Sequence, residues 1–594
     1  MEKSWLGVSL EELCDGKGAY SFSVSPVSPS KYHTVLYELP VDLKTPPKPH
    51  RNFTNHHWDD DHVKMPYSPK NYFLFKNENN EEILKSRWGT MIEAFSKTIT
   101  SSYEFEAAVR SYQPILPKFD ALHYLFNEVI SEEESELFFK NMLPEIVNLA
   151  IKLPEILPGN LPILKKEQNH SISLSQLQIA SLTANAFLCT FPHHKDASPL
   201  CPGFNFYRLF AANQRPKRVN CVSEKLKCIF HYFRRILSTT PCGIVTFERK
   251  HVRRNQVARW DRLENLLSTT KIHICSSGTI EDGSGCLQVD FANKFVGGGV
   301  LGYGCVQEEI RYIICPELIV SRLFTEELGM TEALVITGVE RYSKYSGYGD
   351  TFAWSGNFED NTPFDLYGRR KTTVVAIDAV KFNRPYDQFN SSLILRELNK
   401  AYVGFHSHCD NKLAPVATGN WGCGAFKGDP KLKFLIQLMA CNVTHRNMVY
   451  YTFKDEELRD TIHKIYSFLT NHSVKIFELW RLLCRFTVAQ EKQENFVSFI
   501  QKSYLEVKKQ PSIKQFFTPI MFKNSKSEVK EKVGEASMKI PDAQATEPSV
   551  DEKMEIDVDT VKIDFGCDND NEIDNDIVDA APVENKEPKK SKIK

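Results

Sequence analysis

The chain has 594 residues, with 74 Lys and Arg against 75 Asp and Glu. That near-zero balance gives no global field for nucleic acid or a membrane surface, so direct DNA binding is not expected and any charge-driven contact must be local. With 42% hydrophobic and 25% charged residues it has the make-up of a soluble globular protein, with length for about four domains.

Fifteen cysteines stand without a framework, and Met1-Glu2-Lys3-Ser4-Trp5 lacks the apolar core of a signal peptide. A reducing, intracellular setting is expected. No apolar run reaches the ~18 residues that span a bilayer; the richest, 146–157, is broken by Lys152, Pro154 and Glu155.

Residues 1–75 are rich in Pro, Ser, His and Asp and read as an extended arm laid over the next domain. The cluster His56-His57-Trp58-Asp59-Asp60-Asp61-His62 has metal-binding residue types but no ligand spacing such as H-x-x-x-H. A solvated loop is the simpler reading, and no metal is expected. From 76 to 240 the apolar spacing is helical: Ile83, Leu84, Trp88, Met91, Ile92 and Phe95, then Leu122, Leu125, Phe126, Val129 and Ile130. Amphipathic helices follow over 173–188 and 223–237, the second capped by Ser223 with Glu224 in its first turn. This is an all-α accessory domain with no visible chemistry; His193-His194 reads as a loop pair.

From 241 to 509 the texture changes. Short β-rich runs at 244–247, 271–275, 287–292, 333–337, 372–377 and 448–453 alternate with helices at 308–323, 391–405 and 430–440. That alternation predicts an α/β domain, a mixed sheet flanked by helices. Helices at 456–469, 474–486 and 496–507 close it. Beyond 509 the composition becomes Lys, Glu, Asp, Ser, Pro and Asn, too poor in apolar surface to fold, so 510–594 is expected to be a disordered tail. Its basic end, 586–594, fits an import signal or a solubilising tail equally.

The tail opens with Gln510-Pro511-Ser512-Ile513-Lys514-Gln515-Phe516-Phe517. Its spacing resembles a sliding-clamp (PCNA) interaction box. One helical turn would place Ile513, Phe516 and Phe517 as a plug for an apolar pocket, with Gln510 as a hydrogen-bonding anchor. The plainer alternative packs both Phe side chains back onto the folded domain. The box implies a nuclear protein linked to replication or repair, with a cytoplasmic share left open.

The densest chemistry lies at Val289-Asp290-Phe291-Ala292-Asn293, Gly297-Gly298-Gly299 and Gln307-Glu308-Glu309. This reads as a buried strand, a glycine loop and a helix that opens on a polar triplet. Triple glycine allows close backbone approach and positive φ, and N–H groups beside a helix N-terminus form an anion site. The stretch therefore proposes a phosphate-bearing substrate beside an acid. Gly297, Gly299 and Gly302 also satisfy G-x-G-x-x-G, but a Rossmann site wants an acid about 20 residues on, at the end of the next strand. Here that position is 328–332, ahead of the strand, and Glu340 comes too late. Successive helical residues point about 100° apart, so Glu308 and Glu309 must divide their roles.

Together with Tyr345-Ser346-Gly347-Tyr348 and Ala417-Thr418-Gly419-Asn420-Trp421-Gly422-Cys423-Gly424-Ala425-Phe426, this stretch resembles the signature of the poly(ADP-ribose) glycohydrolases in order and spacing. The resemblance covers roughly residues 60 to 510 and looks like the animal form, a helical domain ahead of a macrodomain. It implies cofactor-free hydrolysis of ribose–ribose bonds in protein-bound poly(ADP-ribose). It makes Glu309 the general acid, which protonates the leaving oxygen and then deprotonates water through an oxocarbenium-like transition state. Glu308 would hold ribose hydroxyls, Asn293 and Gln307 would orient the sugars, and Asp290 would position the pair. Gly297, Gly298 and Gly299 would bind the diphosphate. Tyr348 would lie by the adenine or phosphates and Phe453 by the distal ribose, with ordinary core packing the alternative for both. Asn420 and Phe426 would belong to a second loop closing on the diphosphate.

A helix N-terminus favours a carboxylate, whereas an acid must carry a proton; the negative charge of Glu308 and of a bound diphosphate is expected to supply the counter-pressure. Two other functions stay open: a macrodomain that binds ADP-ribose without cleaving it, recruited to the sliding clamp, and a hydrolase restricted to the terminal unit on protein. Cys423 reads as a small loop residue, since a nucleophile wants a placed base. His406-Ser407-His408-Cys409 reads as a helix end.

Overall fold

The structure, a computed structural model, describes residues 4–50, 57–76, 80–193, 200–212, 219–407, 413–489 and 495–509. The clamp-like box and the basic end of the tail lie outside these residues, as do His56, His194, His408 and Cys409. In chain order the strands are β1 (Trp5–Gly7), β2 (His33–Val35), β3 (Tyr72–Lys76), β4 (Glu82–Ser86), β5 (His170–Ser175), β6 (Ile244–His251), β7 (Ile272–Cys275), β8 (Leu287–Ala292), β9 (Glu332–Thr337), β10 (Ser343–Ser346), β11 (Ala353–Asn357), β12 (Thr373–Asp378), β13 (Val416–Gly419) and β14 (Met448–Tyr451). The longer helices are α1 (Arg87–Phe95), α2 (Ser102–Arg110), α3 (Leu143–Ile151), α4 (Gln176–Phe187), α5 (Val219–Ser238), α6 (Gln307–Ile314), α7 (Ser391–Phe405), α8 (Pro430–Val443), α9 (Glu456–Asn471), α10 (Ile476–Ala489) and α11 (Phe496–Lys509).

Ten strands form one mixed sheet in the order β1-β7-β14-β13-β8-β12-β9-β6-β5-β2. Neighbours from β7 to β12 are parallel, and those from β12 to β5 antiparallel. Strand side chains alternate between faces, and this splits the apolar residues into two cores. Val374 and Ala376 of β12 join the accessory helices and α6, while Val375 and Ile377 join α7, α8 and the closing helices. Helix starts are set locally. Ser101 caps α2, Asn390 caps α7, and Asp429 accepts from two amides at the start of α8.

The helical domain and the helix-flanked mixed sheet are as the pattern predicts, with differences that have local causes. Ile83 and Leu84 belong to strand β4, because they pair with Phe75 and Leu74 across a hairpin. Residues 170–175 leave the helical domain as strand β5 and pair with β6. The helix begins only at Gln176, where Ser175 and Gln178 form a capping box. Ser223 lies inside α5 and is not its cap. Pro316 ends α6 early, and the chain continues as the 3-10 turn Pro316–Val320 and the short helix Ser321–Phe324. The arm also lends β1 to one edge of the sheet and β2 to the other.

A buried polar network joins the helical domain to the sheet. Gln176 Nε2 and the Tyr342 hydroxyl each donate to one Glu317 oxygen at 2.7 Å, and the Glu340 amide donates to the other at 2.8 Å. Arg235 of α5 and Arg370 hold Glu340 at 2.8 and 3.0 Å. Burial, reinforced by the Glu340 charge, outweighs those donors and pushes Glu317 from 4.5 up to about 7. A raised folded-state value stabilises the fold fully below pH 4.5, and that contribution is lost as pH rises through about 7. At ~1.4 kcal/mol per unit the contribution lost is on the order of 3 kcal/mol. Urea unfolding at pH 5 and pH 8 is expected to show Glu317→Gln gaining on the wild type at the higher pH; equal pH dependence in both would refute the assignment.

Candidate active site

The polar triplet at the start of α6 ties three segments together. Gln307 Oε1 accepts from the Phe291 amide at 2.8 Å and its Nε2 donates to the Val289 carbonyl at 3.2 Å. Its side chain thus fastens α6 to β8. Glu308 accepts from the Asn293 amide at 2.9 Å and the Gly297 amide at 2.6 Å. Glu309 accepts from the Gly299 amide at 2.9 Å and the Val306 amide at 2.9 Å. Adjacent carboxylates are therefore pinned to different amides, in line with divided roles. Asn293 Oδ1 accepts from the Phe295 amide at 2.9 Å, which shapes the entry to the glycine loop.

The glycines do more than line a cradle. Gly297 and Gly298 have φ of +83° and +43°, and their neighbourhood has no room for a side chain. A Cβ on Gly298 would sit 2.5 Å from Glu309 Oε1 and 2.6 Å from Glu308 Oε2. The Gly297 and Gly299 amides are spent on the two carboxylates, and the Gly298 amide points to the Phe295 carbonyl at 3.2 Å. The triple glycine is thus first a seat for Glu308 and Glu309.

Asp290 of β8 is fully buried, and neither carboxyl oxygen finds a hydrogen-bond partner among the described residues. Burial first, and then the charge of Glu309, hold it well above the usual carboxylate range, against the pull of Arg311. Burial, with Asp290 and Glu309 beside it, likewise raises Glu308, against the Asn293 and Gly297 amides. Burial and the neighbouring charges thus disfavour the ionised form of both Asp290 and Glu308.

Two cations that the linear pattern did not single out hold the loop from behind. Lys225 of α5, buried, donates to the carbonyls of Gly302 and Gly304 at 2.8 and 2.6 Å. Arg322, also buried, donates to those of Val296 and Gly298 at 3.1 and 2.8 Å and to Gly203 at 3.0 Å. Burial lowers both, Arg322 to about 10. These side chains fix the carbonyl direction of the loop, and through Lys225 the helical domain reaches the site.

Tyr348 and Phe453 face one another at the rim, 40% and 48% exposed, with ring centroids 5.1 Å apart at 57°. Neither is core. Phe453 lies beyond β14, which ends at Tyr451. Phe453 and Lys454 both have left-handed backbones, φ +56° and +66°, a strain that side chains of this size rarely carry. The Thr452 and Lys454 amides hold this turn, donating to Cys275 and Ser276 at 2.9 and 2.8 Å.

Asn420 accepts from the Tyr450 hydroxyl at 3.0 Å and so ties the second loop to β14. Phe426 is half-buried against the core under α7 and α8. Beneath the loop, Lys433 lies 4.2 Å from the centre of the Trp421 ring and pairs with Glu397. The amides of Gly424, Ala425 and Phe426 meet no acceptor among the described residues, and a Cβ at Gly424 would point into open space. The second loop therefore offers a run of open N–H groups. Burial raises the Cys423 thiol to about 12, as befits a packing residue. His406 ends α7, its carbonyl accepting from Lys250 at 2.9 Å. Among the described residues no group of His, Cys, Asp or Glu forms a metal site, and no helix is long and apolar enough to cross a membrane.

The sequence profile of the poly(ADP-ribose) glycohydrolase helical domain matches residues 130–249, and that of its macro domain fold matches 257–460. Poly(ADP-ribose) glycohydrolase 1 of Arabidopsis thaliana is 32% identical over 459 residues, which cover 63% of this chain and 83% of that protein. Poly(ADP-ribose) glycohydrolase 2 of Caenorhabditis elegans is 32% identical over 381 residues, 62% of this chain and 74% of that protein. Poly(ADP-ribose) glycohydrolase 1 of the same animal is 32% identical over 424 residues, 69% of this chain and 51% of that protein. The glycine-seated carboxylates thus lie within the matched macro domain, Lys225 lies within the matched helical domain, and the chain belongs to the poly(ADP-ribose) glycohydrolase family.

Proposed function

We propose that the site formed by the glycine loop and the second loop hydrolyses ribose–ribose O-glycosidic bonds of protein-bound poly(ADP-ribose), releasing ADP-ribose. The observation that carries this reading is the fixed pair Glu308 and Glu309, each held by two amides at the head of α6. Glu309 acts as the general acid. It protonates the oxygen that leaves the scissile bond and then takes a proton from the attacking water, through a transition state with oxocarbenium character. Glu308 orients ribose hydroxyls, Asn293 shapes the loop beside them, and Asp290, buried in β8, positions the pair. Gln307 supports the sugar site through β8, to which its side chain fastens α6.

The diphosphate lies over the exposed Gly299 backbone and takes its donors from the second loop, at Gly424, Ala425 and Phe426, which Asn420 holds in place. Tyr348 and Phe453 flank the substrate at the rim. The test is digestion of polymer on an automodified protein alongside ADP-ribose titration. Release of free ADP-ribose together with binding is the expected result. Binding without release would make the chain a reader of ADP-ribose, and release from mono-modified protein alone would make it a terminal-unit hydrolase.

We infer in addition that Gln510, Ile513, Phe516 and Phe517 bring the enzyme to the sliding clamp and so to the nucleus. The support is the spacing of those residues alone. The 594-residue chain is expected to bind purified clamp and to lose that binding on Phe516→Ala with Phe517→Ala; unchanged binding would sink the idea.

A further inference from the structure

Large apolar side chains left in water are scattered over most of this surface, as is usual. One stretch differs. Tyr72, Leu74, Phe75, Ile83, Leu84 and Ile92 are all exposed, Leu84 at 65% and Leu74 at 59%. Five of them sit on the β3–β4 hairpin, a two-stranded sheet that joins no other strand. A lone ribbon of this kind is only marginally stable, and an exposed apolar edge is a template for pairing. Phe73 is the inward residue of β3, buried with the Arg87 guanidinium over its ring at 5.2 Å. All five residues of β4, Glu82 to Ser86, are exposed, and β4 pairs with no strand other than β3 among the described residues.

We propose that this hairpin is a homodimer interface, in which β4 pairs antiparallel with β4 of a second copy across a twofold axis at Ile83, giving a four-stranded sheet. The occupant follows from the order of charges along the edge. Antiparallel strands related by such an axis place residues of the same parity opposite one another on the same face. With Ile83 on the axis, Ile83 meets the partner's Ile83, and Glu81 and Lys85 meet the partner's Lys85 and Glu81. An apolar centre flanked by two opposite-charge pairs is a favourable cross-strand set. Phe75, the β3 neighbour of Ile83, extends that apolar centre on the same face. On the other face the two Leu84 side chains become diagonal neighbours, beside Leu74 of each copy. Lys85, whose ammonium lies over the Phe75 ring at 3.9 Å, would ordinarily discourage pairing on an exposed edge; here the partner adds a carboxylate opposite it. The contact is self-complementary and closes at two copies.

The test uses the full chain in sedimentation equilibrium, from low to high micromolar concentration. Wild type is expected to rise toward twice the chain mass. Ile83→Lys, which sets two ammonium groups face to face on an already exposed strand, is expected to stay at one chain mass with unchanged circular dichroism. Glu81→Lys is expected to dissociate the dimer, and Glu81→Lys combined with Lys85→Glu to restore it. A single-chain mass for wild type at every concentration overturns the proposal, as does a dimer that survives Ile83→Lys. Failure of the double charge reversal to restore pairing overturns the register.

Discussion

Glu309→Gln is expected to lower kcat for polymer hydrolysis by about 10²–10⁴-fold while ADP-ribose affinity stays within about tenfold. The argument begins with the two amides that hold this side chain, from Gly299 and Val306. An amide has the shape of the carboxylate but only one acceptor oxygen, so one of those N–H groups faces an NH₂ and loses its bond. Losing one such bond costs the fold about 1–3 kcal/mol, which a melting curve reads directly. The chemical step loses more, because a primary amide neither donates a proton to the leaving oxygen nor takes one from water. Glu309→Asp separates these effects. It keeps a titratable group on a side chain one methylene too short to reach both amides, so it is expected to retain part of the proton transfer with poor positioning. Polymer release within tenfold of wild type for Glu309→Gln would remove Glu309 from the acid role and leave it as a structural cap of α6.

The parts of this site that could be read from the sequence are those built by near neighbours. β8 runs over 287–292 and α7 over 391–405, the bounds that periodicity gives. The glycine loop and polar triplet fall within one strand–loop–helix unit, so their spacing alone placed the carboxylates beside the glycines. What spacing could not show is where the loop amides point. Gly297 and Gly299 spend theirs on Glu308 and Glu309, whereas those of Gly424, Ala425 and Phe426 in the second loop meet no acceptor among the described residues. Lys225 and Arg322 were hidden for a different reason. A lysine on an amphipathic helix reads as a solvent-facing charge, and only the docking of α5 against the loop puts its ammonium on the carbonyls of Gly302 and Gly304. Phe453 looked like the end of a β-rich run; its positive φ, which no residue type announces, turns the ring out to the rim. Ile83 and Leu84 fit a helical rhythm by chance, since a strand of apolar residues carries the same letters, and only pairing with β3 decides between the two.

Gly298→Ala is expected to cut kcat/KM by about 10²-fold or more, roughly 3 kcal/mol, whereas Gly302→Ala is expected to stay near wild type. Both glycines lie in the same loop, Gly302 as the last glycine of the G-x-G-x-x-G pattern and Gly298 between its first two, so the contrast tests what the loop is for. At Gly298 two costs coincide. An alanine in the left-handed region, at φ +43°, costs about 1–2 kcal/mol of backbone strain. Its Cβ also falls 2.5 and 2.6 Å from oxygens of Glu309 and Glu308. Side-chain oxygens ordinarily swing away from such an intrusion, but these are held by the Gly299, Val306, Asn293 and Gly297 amides, so yielding breaks bonds in the seat itself. At Gly302 the nearest atom to an added Cβ is the Gly299 carbonyl oxygen at 3.7 Å, and the Gly302 carbonyl remains on Lys225. Kinetics on the same polymer, with ADP-ribose affinity measured for both variants, separates two pictures of the loop. A large loss at Gly298 with little at Gly302 means that the glycines seat carboxylates. Equal losses at both, matched by equal losses of ADP-ribose affinity, would mean that the loop acts as one phosphate cradle, and the donors assigned to the second loop would then belong to the first.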